Sequence, residues 1–292
     1  MKKLSVASMG AVFAASVVLS GPASAYVFSI DNFQITKNGN AAFFNDGFDA
    51  GGPPPSAPDF GSGTPGSYST RGVFGETGGR ATMDVANAEI TTSSIGGNPI
   101  FFHRARLLTN TGDATDSRGL KTDDTFVVEA LFDLILPTPA GDTFFLRLTD
   151  ATAAGGNDRL ELRVRIGNSG NPIIQFGELD DALNISTTLA TDGIPTTAGV
   201  ADHEQIMLRL AKNDALSNTI TASYEYFDAG VGQGNASFNG PGDVNTSSTI
   251  FRGEEWTRAE FGARQPVPEP ASLALLGLGL AGLGVARRRR RG

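Results

Sequence analysis

The sequence contains no cysteine, only two histidines and a single tryptophan. The absence of cysteine excludes disulfide bonds, thiolate metal sites, cysteine nucleophiles and a lipid-modified N-terminal cysteine. The sequence also lacks the His-Glu-x-x-His pattern of zinc proteases and the Gly-x-Ser-x-Gly pattern of serine hydrolases. No common catalytic motif therefore suggests an enzymatic function, and we expect a protein that is not an enzyme.

Basic residues are scarce between the two ends of the chain. Seven of the 23 lysines and arginines lie in residues 1–25 and 267–292, whereas only one of the 31 acidic residues lies there. Residues 26–266 therefore carry a formal charge of −14, against −8 for the whole chain. A domain this acidic does not neutralise phosphates, so we exclude a nucleic-acid partner. The charge suits a solvated extracellular protein.

Residues 1–25 have the three parts of a secretory signal peptide. Two lysines precede an apolar run, and Ala23 and Ala25 form a small-residue cleavage site. We expect cleavage after Ala25, so that Tyr26 begins the mature chain exported by the secretion machinery. The alternative is an uncleaved membrane anchor, which the shortness of the apolar run disfavours.

The C-terminal segment, 267–292, combines a Pro-Glu-Pro motif within 267–270, an uncharged apolar run at 271–286 and a basic cluster. As a helix the run spans about 24 Å, which is short against a hydrocarbon core of about 30 Å. Snorkelling arginines and local bilayer thinning can close this gap. Because the run is rich in Gly and Ala, we expect a weakly retained transmembrane helix. The basic cluster holds its end in the cytoplasm and so leaves the rest of the chain outside. The membrane-orienting residues are Arg287, Arg288, Arg289, Arg290 and Arg291.

Pro268, Glu269 and Pro270, followed by a short Gly/Leu/Ala helix and terminal arginines, resemble the PEP-CTERM sorting signal of Gram-negative bacteria. The resemblance implies recognition by an exosortase, an integral-membrane, cysteine-dependent, transpeptidase-like enzyme that removes the tail. It further implies an inner-membrane intermediate, then a cell-surface or extracellular protein, often associated with exopolysaccharide and biofilm. The alternative is an ordinary C-terminal anchor.

The middle of the chain is rich in runs that alternate apolar and polar residues, separated by Gly/Asn/Asp turns. This pattern predicts an all-β fold, a single antiparallel β-sandwich or jelly roll over 26–251. We expect surface loops at 49–79 and 228–247, and a spacer at 252–266 that lifts the domain off the membrane. The strongest runs are Thr125–Leu136, Thr143–Thr149, Asp158–Ile166, Asn171–Phe176, 206–210 and 220–226; weaker ones are Tyr26–Ile35, Ala81–Ile90 and Ile100–Leu108.

The order of these runs also resembles the concanavalin A-like lectin/glucanase jelly roll. Glucanases of that type place two glutamates and an aspartate on one strand as Glu-x-Asp-x-x-Glu, and retaining hydrolysis needs two carboxyls about 5–5.5 Å apart. The nearest match starts with Glu178 and Asp180, but Leu183 stands where the second glutamate is required. This departure argues against a glycosidase site.

Other polar residues are candidates for ligand binding. We interpret His103 and His203, which are far apart in sequence, as isolated surface or strand histidines. Two acidic loops offer oxygen ligands that suit Ca²⁺. Neither has EF-hand spacing, so we prefer solvated turns and expect no cofactor and no metal site. The loop residues are Asp113, Asp116, Asp123 and Asp124 in one loop, and Asp150, Asn157 and Asp158 in the other.

Together these features predict an exported, non-enzymatic surface or matrix protein whose partners are the secretion machinery, an exosortase, transiently the inner membrane, and extracellular polysaccharide. The first alternative is a carbohydrate-binding, lectin-like module, which predicts saturable glycan binding. The second is a glycoside hydrolase, which requires a cleft with paired carboxylates.

Overall fold

The computed structural model describes the middle of the chain. The predicted signal peptide, 1–25, and the predicted sorting tail, 267–292, lie outside the described residues. Within the described part, no helix is long and apolar enough to cross a membrane. The described ranges are 27–48, 68–72, 74–76, 79–84, 89–92, 99–107, 120–121, 123–134, 143–150, 159–166, 171–180, 185–197, 200–217, 219–236, 238, 243–245 and 257–266.

The described residues form 19 strands and confirm the all-β prediction. In chain order they are β1 (Val27–Lys37), β2 (Asn40–Asp46), β3 (Tyr68–Arg71), β4 (Phe74–Glu76), β5 (Ala81–Asp84), β6 (Glu89–Thr92), β7 (Pro99–Leu107), β8 (Phe126–Asp133), β9 (Thr143–Asp150), β10 (Arg159–Ile166), β11 (Pro172–Asp180), β12 (Ile185–Gly193), β13 (Thr196–Thr197), β14 (Val200–Ala201), β15 (Gln205–Lys212), β16 (Thr219–Asp228), β17 (Val231–Ala236), β18 (Asp243–Asn245) and β19 (Thr257–Pro266).

Two antiparallel sheets contain nearly all of these strands. The first sheet has the order β17-β16-β15-β8-β1-β5-β4, with β18 paired to β16 and β2 to β1. The second sheet has the order β12-β11-β10-β9-β19-β7-β3, with β6 paired to β7. β13 and β14 pair separately. In each large sheet, strands distant in sequence lie side by side, as in a jelly roll.

The two sheets face each other across one apolar core, because alternate residues of each strand point to the same side. Phe132 of the first sheet stacks on Phe144 of the second, with ring centroids 4.6 Å apart. Phe33 of β1 and Phe261 of β19 are 5.0 Å apart. These contacts between sheets make the fold a β-sandwich, with the core residues in one cluster.

The hairpin joining β1 to β2 shows how local sequence sets the register. Asn38 and Gly39 form a two-residue turn with φ angles of 50° and 76°. Both values lie in the left-handed region, which Asn and Gly tolerate best and which the tightest hairpin turn requires. Asn38 also donates a side-chain hydrogen bond of 2.7 Å to Asp124, which ties this turn to the residues before β8.

The structure differs from the sequence prediction in three segments. The expected loop at 49–79 contains β3 and β4, and the expected loop at 228–247 contains β17 and β18. Residues 257–266, which we expected to be a spacer, form β19. These strands are rich in Gly, Ser, Arg and other polar residues, so their composition resembles that of a loop, and pairing with neighbouring strands determines their conformation.

Candidate functional site

The predicted processing residues cannot be placed in the structure. Ala23 and Ala25 of the signal peptide, Pro268, Glu269 and Pro270 of the sorting motif, and Arg287 to Arg291 all lie outside the described residues. The predicted helices at both ends therefore remain predictions. The structure does describe the strand to which the tail is attached, and this strand is central to the fold.

Strand β19 pairs along its length with β9 on one side and β7 on the other. Its inward side chains Ala259, Phe261 and Ala263 are buried in the core. The Phe261 ring lies 5.5 Å from Tyr68 and 5.8 Å from Phe48, measured between centroids. The last strand before the tail is thus one of the most enclosed elements of the sandwich.

The two histidines occupy separate places. His103 of β7 is 1% exposed and meets Phe74 edge-on at 5.7 Å, so it is buried in the sheet. His203 lies before β15, where Nδ1 is 2.9 Å from an Asp228 carboxylate oxygen and the ring stacks on Tyr226. The structure does not bring the two rings together in these contacts, in agreement with the interpretation of isolated histidines.

The acidic loop before β8 is partly described. Asp124 is 6% exposed, and its carboxylate lies 2.8 Å from Lys37 Nζ and accepts hydrogen bonds from Asn38 and the Lys121 amide. These contacts make it a structural ion pair. No group of three or more acidic or histidine side chains suited to a metal ion occurs in the described ranges. Asp113, Asp116, Asn157 and Asp158 fall outside them, as does Trp256.

Glu178 of the incomplete glucanase pattern lies on β11 in register with Leu160, and so on the side of the second sheet that faces the core. Asp180 is the last residue of β11, and Leu183 lies outside the described residues. The register partners of Glu178 on the two neighbouring strands, Leu160 and Thr187, are not carboxylates.

A cross-strand row of charges on the outer side of the second sheet was not predicted. Arg147 of β9 is in register with Glu161 of β10 and with Glu260 of β19. Its guanidinium lies 2.6 Å from a Glu161 oxygen and 3.3 Å from a Glu260 oxygen. Arg163 and Arg264 also contact Glu161. Arg147, Glu161 and Glu260 are all at most 5% exposed.

This row is unsuited to acid–base catalysis. Burial alone would raise the pKa of Glu161, but the charges of Arg264, Arg147 and Arg163 hold that pKa well below its usual range. A general acid needs a raised pKa so that it holds a proton near neutrality. Glu161 instead stays ionised, and we interpret the row as a buried ion network that fixes three adjacent strands.

An open cleft of about 550 Å³ lies at one end of the first sheet. We call it the Asp31 cleft. A β-bulge in β1 between Ile30 and Asn32 inserts Asp31 as an extra residue, and bulges commonly re-aim a side chain in this way. The cleft is lined by Asp31, Arg80, Asp133, Leu134, Val200, Glu204, Gln205 and Gly230.

Two aspartates in the cleft share their partners. Gln205 Nε2 donates to Asp31 at 2.5 Å and to Asp133 at 3.0 Å. Arg80 contacts the same two carboxylates at 3.1 and 3.0 Å, and Ser29 donates to Asp133. The two carboxylate oxygens at Gln205 are therefore at most about 5.5 Å apart.

The wall of the cleft includes a strained turn. Ala229 has a φ of 49°, which is unfavourable for a residue with a Cβ. Its amide donates a hydrogen bond of 2.8 Å to Glu204, and the next residue, Gly230, lines the cleft. This hydrogen bond holds the turn at residues 229–230 against the Glu204 carboxylate.

The surroundings of Asp31 disfavour its ionised form. Burial, and then the charge of Asp133, raise the pKa of Asp31, and the hydrogen bond from Gln205 and the charge of Arg80 only partly offset them. A carboxyl whose pKa is raised by burial in a cleft is a common feature of functional sites. The Gln205 amide and the Arg80 guanidinium both bridge Asp31 and Asp133. The arrangement can offer hydrogen bonds to a ligand.

No local sequence pattern indicates either group of side chains. Asp31 and Asp133 are distant in sequence, and only the pairing of β1 with β8 brings them together. Likewise, Glu161 and Glu260 meet through the pairing of β9 with both β10 and β19.

Comparison with known proteins gives one family match. Residues 266–291 match the family described as PEP-CTERM protein-sorting motif. Curated protein sequences give no match. Among solved structures, the chain is similar to the CBM2 module of Lactobacillus casei BL23 phage J-1 evolved Dit, at 13% identity and a TM-score of 0.36, over 83% of this chain and 97% of that one. A TM-score this low carries no argument about ligand or activity.

Proposed function

We propose that this chain, which carries a PEP-CTERM sorting motif, is a non-enzymatic protein of the cell surface or extracellular matrix. The observation that carries the proposal is the family match over residues 266–291, because the motif implies export and recognition by a membrane-embedded exosortase. Cleavage of residues 1–25 and removal of the tail after an inner-membrane stage are parts of the proposal. An association with exopolysaccharide or biofilm is a further part.

The described carboxylate pairs support a role without catalysis. Glu161 and Glu260 are both neutralised by Arg147, and Asp31 and Asp133 are both bound by Arg80 and Gln205. In each pair a donor from the protein already occupies the space between the two carboxylates.

The experiment that tests sorting follows one tagged chain in the producing cell. An epitope tag is placed within residues 49–67, and chain mass and location are compared for the native motif and for Pro268, Glu269 and Pro270 changed to alanine. A matched control changes Pro53, Pro54 and Pro55 to alanine. We expect the native and control chains to lose about 25 residues from the C-terminus and to leave the inner membrane. Full-length native chain that stays in the membrane would refute the proposal.

A second candidate function, glycan binding, is favoured by the Asp31 cleft. Its three carboxylates and one guanidinium give a formal charge of −2, which disfavours anionic ligands. Sugar hydroxyls can both accept from Arg80 and donate to Glu204, and Arg80 is half-exposed. The cleft is thus suited to a neutral, hydroxyl-rich ligand.

Glycan binding is tested on the exported protein with neutral manno- and cello-oligosaccharides, and with oligogalacturonate as the anionic counterpart. We expect saturable binding of a neutral oligosaccharide that Glu204→Gln weakens and Val200→Trp, which fills the cleft, abolishes. Arg209→Met is the control, because it removes a charged side chain from the same sheet outside the cleft. Arg209 forms an ion pair with Glu129, as Arg80 does with the cleft aspartates. Equal binding by native and cleft variants, or a preference for oligogalacturonate, would exclude the cleft as a neutral-glycan site.

A further inference from the structure

The sorting motif begins where the second sheet ends. Strand β19 extends to Pro266, and the matched motif starts at that same residue. Only four residues, 267–270, separate the strand from the apolar run at 271–286. Residues 257–266 of the expected spacer are instead part of the sheet.

This connection leaves little room between the folded domain and the membrane. Four fully extended residues span at most about 14 Å. The headgroup layer takes up about 5–7 Å of that length. The remaining gap is narrower than an α-helix with its side chains, which is about 10–12 Å across. A processing enzyme therefore has no space to insert a helix between the domain and the headgroups.

Strand β19 cannot supply the missing length without unfolding the sheet. It has hydrogen-bonded neighbours on both sides, and Phe261 and Glu260 are both 0% exposed. Releasing the strand would expose this aromatic side chain and break the contact between Glu260 and Arg147. The connection to the tail can therefore lengthen only if part of the second sheet unfolds.

We infer that the end of the sandwich at Pro266 is a contact surface for the membrane-embedded enzyme that processes the tail. This inference rests on the proposed sorting function. The exposed residue Asn171 belongs to this end of the sandwich. Arg165 of β10 pairs with Thr143 of β9. The next residue, Ile166, pairs with Pro172, and Asn171 lies one position further in the same direction. Thr143 also pairs with Arg264 of β19. Asn171 and Pro266 thus lie in the same row, three strands or about 14 Å apart.

The test is a two-by-two comparison of cleavage rates in producing cells, by pulse–chase of the full-length tagged chain. One change is Asn171→Trp, which adds bulk at the proposed contact. The other is a twelve-residue Gly/Ser insertion between Pro266 and Val267, which adds about 20 Å of reach. The matched control is Asn213→Trp, because Asn213 is also an exposed asparagine but follows β15 at the opposite end of the sandwich.

We expect Asn171→Trp to slow cleavage about threefold or more at native spacing, as for groups in direct contact. It should have no effect when the insertion is present, and Asn213→Trp should have none in either chain. The proposed contact surface would be refuted if Asn171→Trp left the cleavage rate unchanged at native spacing. It would also be refuted if the variant slowed cleavage equally with and without the insertion. A native chain that is never cleaved would instead refute the sorting function itself, so the two failures are distinguishable.

Discussion

A guanidinium nitrogen of Arg147 lies 3.3 Å from a carboxylate oxygen of Glu260, with both side chains buried on the side of the second sheet that faces away from the core. The contact joins β9 to β19, the strand that carries the sorting tail. Because Arg147 also binds Glu161 of β10, one cation holds three neighbouring strands in register.

Replacing Arg147 by methionine should destabilise the domain strongly. The substitution removes the cation that Glu260 and Glu161 share, although Glu161 keeps Arg163 and Arg264. Breaking a buried ion pair typically costs about 3–5 kcal/mol. The measurement is urea unfolding of the exported protein. Arg209→Met serves as the comparison, because its ion pair with Glu129 is 37% exposed on the arginine side and should cost about 1 kcal/mol or less. Equal losses in the two variants would contradict a buried network.

Phe261→Ala should be among the most damaging single changes to the core. The ring is fully buried and has aromatic neighbours from both sheets, including Phe33 of the first and Tyr68 of the second. We expect a loss of about 3–5 kcal/mol in the free energy of unfolding. Phe43, which is only partly buried against the core, gives the control. Phe43→Ala should cost clearly less, and the reverse order would show that β19 is not packed as described.

The sequence was sufficient to predict the strongest strands and their inward residues. In β10, Leu160, Leu162 and Val164 point into the core as the alternation predicts. The alternation could not show that Glu161, on the opposite side, is buried, because its partners come from β9 and β19. Periodicity reports the face of a residue, but strand order decides what lies beside it.

At residues 257–266 the prediction of a spacer was wrong for the same reason, because local sequence does not show which strands lie beside a segment. Residues 257–266 contain arginine, glycine and glutamine and have little apolar character. Small residues in β19 serve close packing, since a Cβ at Gly262 would come within 2.7 Å of the Phe145 ring. Glycine weakens a strand signal in the sequence, yet it is required where another group approaches the backbone closely.

Two aspartates should respond to pH in opposite directions. Burial alone would raise the pKa of Asp124, but hydrogen bonds from Lys37, the Lys121 amide and Asn38 outweigh it and lower the pKa. A carboxyl whose pKa is lower in the folded than in the unfolded chain stabilises the fold above the unfolded value, and this contribution disappears as pH falls through the folded value. Asp124→Asn should therefore cost about 1.5–3 kcal/mol at neutral pH and progressively less in acid.

The pKa of Asp31 is raised, so its ionisation opposes folding. The favourable state of this carboxyl is the protonated one, and it is lost as pH rises through the folded pKa. Asp31→Asn should therefore lose little stability at neutral pH, or gain some, and its advantage should vanish in acid. Unfolding curves of both variants and the native protein between about pH 2 and pH 7 test the signs. Parallel pH profiles for Asp31→Asn and Asp124→Asn would contradict the assignment.

The position of β19 predicts where the mature chain must end. A chain that stops at residue 256 lacks the strand between β9 and β7 and loses hydrogen-bond partners on both, together with the Phe261 side chain. A chain that stops at residue 266 keeps the whole sheet. We expect the longer form to unfold cooperatively and to resist protease, and the shorter form to be degraded or to aggregate through its unpaired strands. The mass of the processed protein from cells should accordingly place its C-terminus at or beyond Pro266, and a processed chain ending before Thr257 would contradict a structural role for this strand.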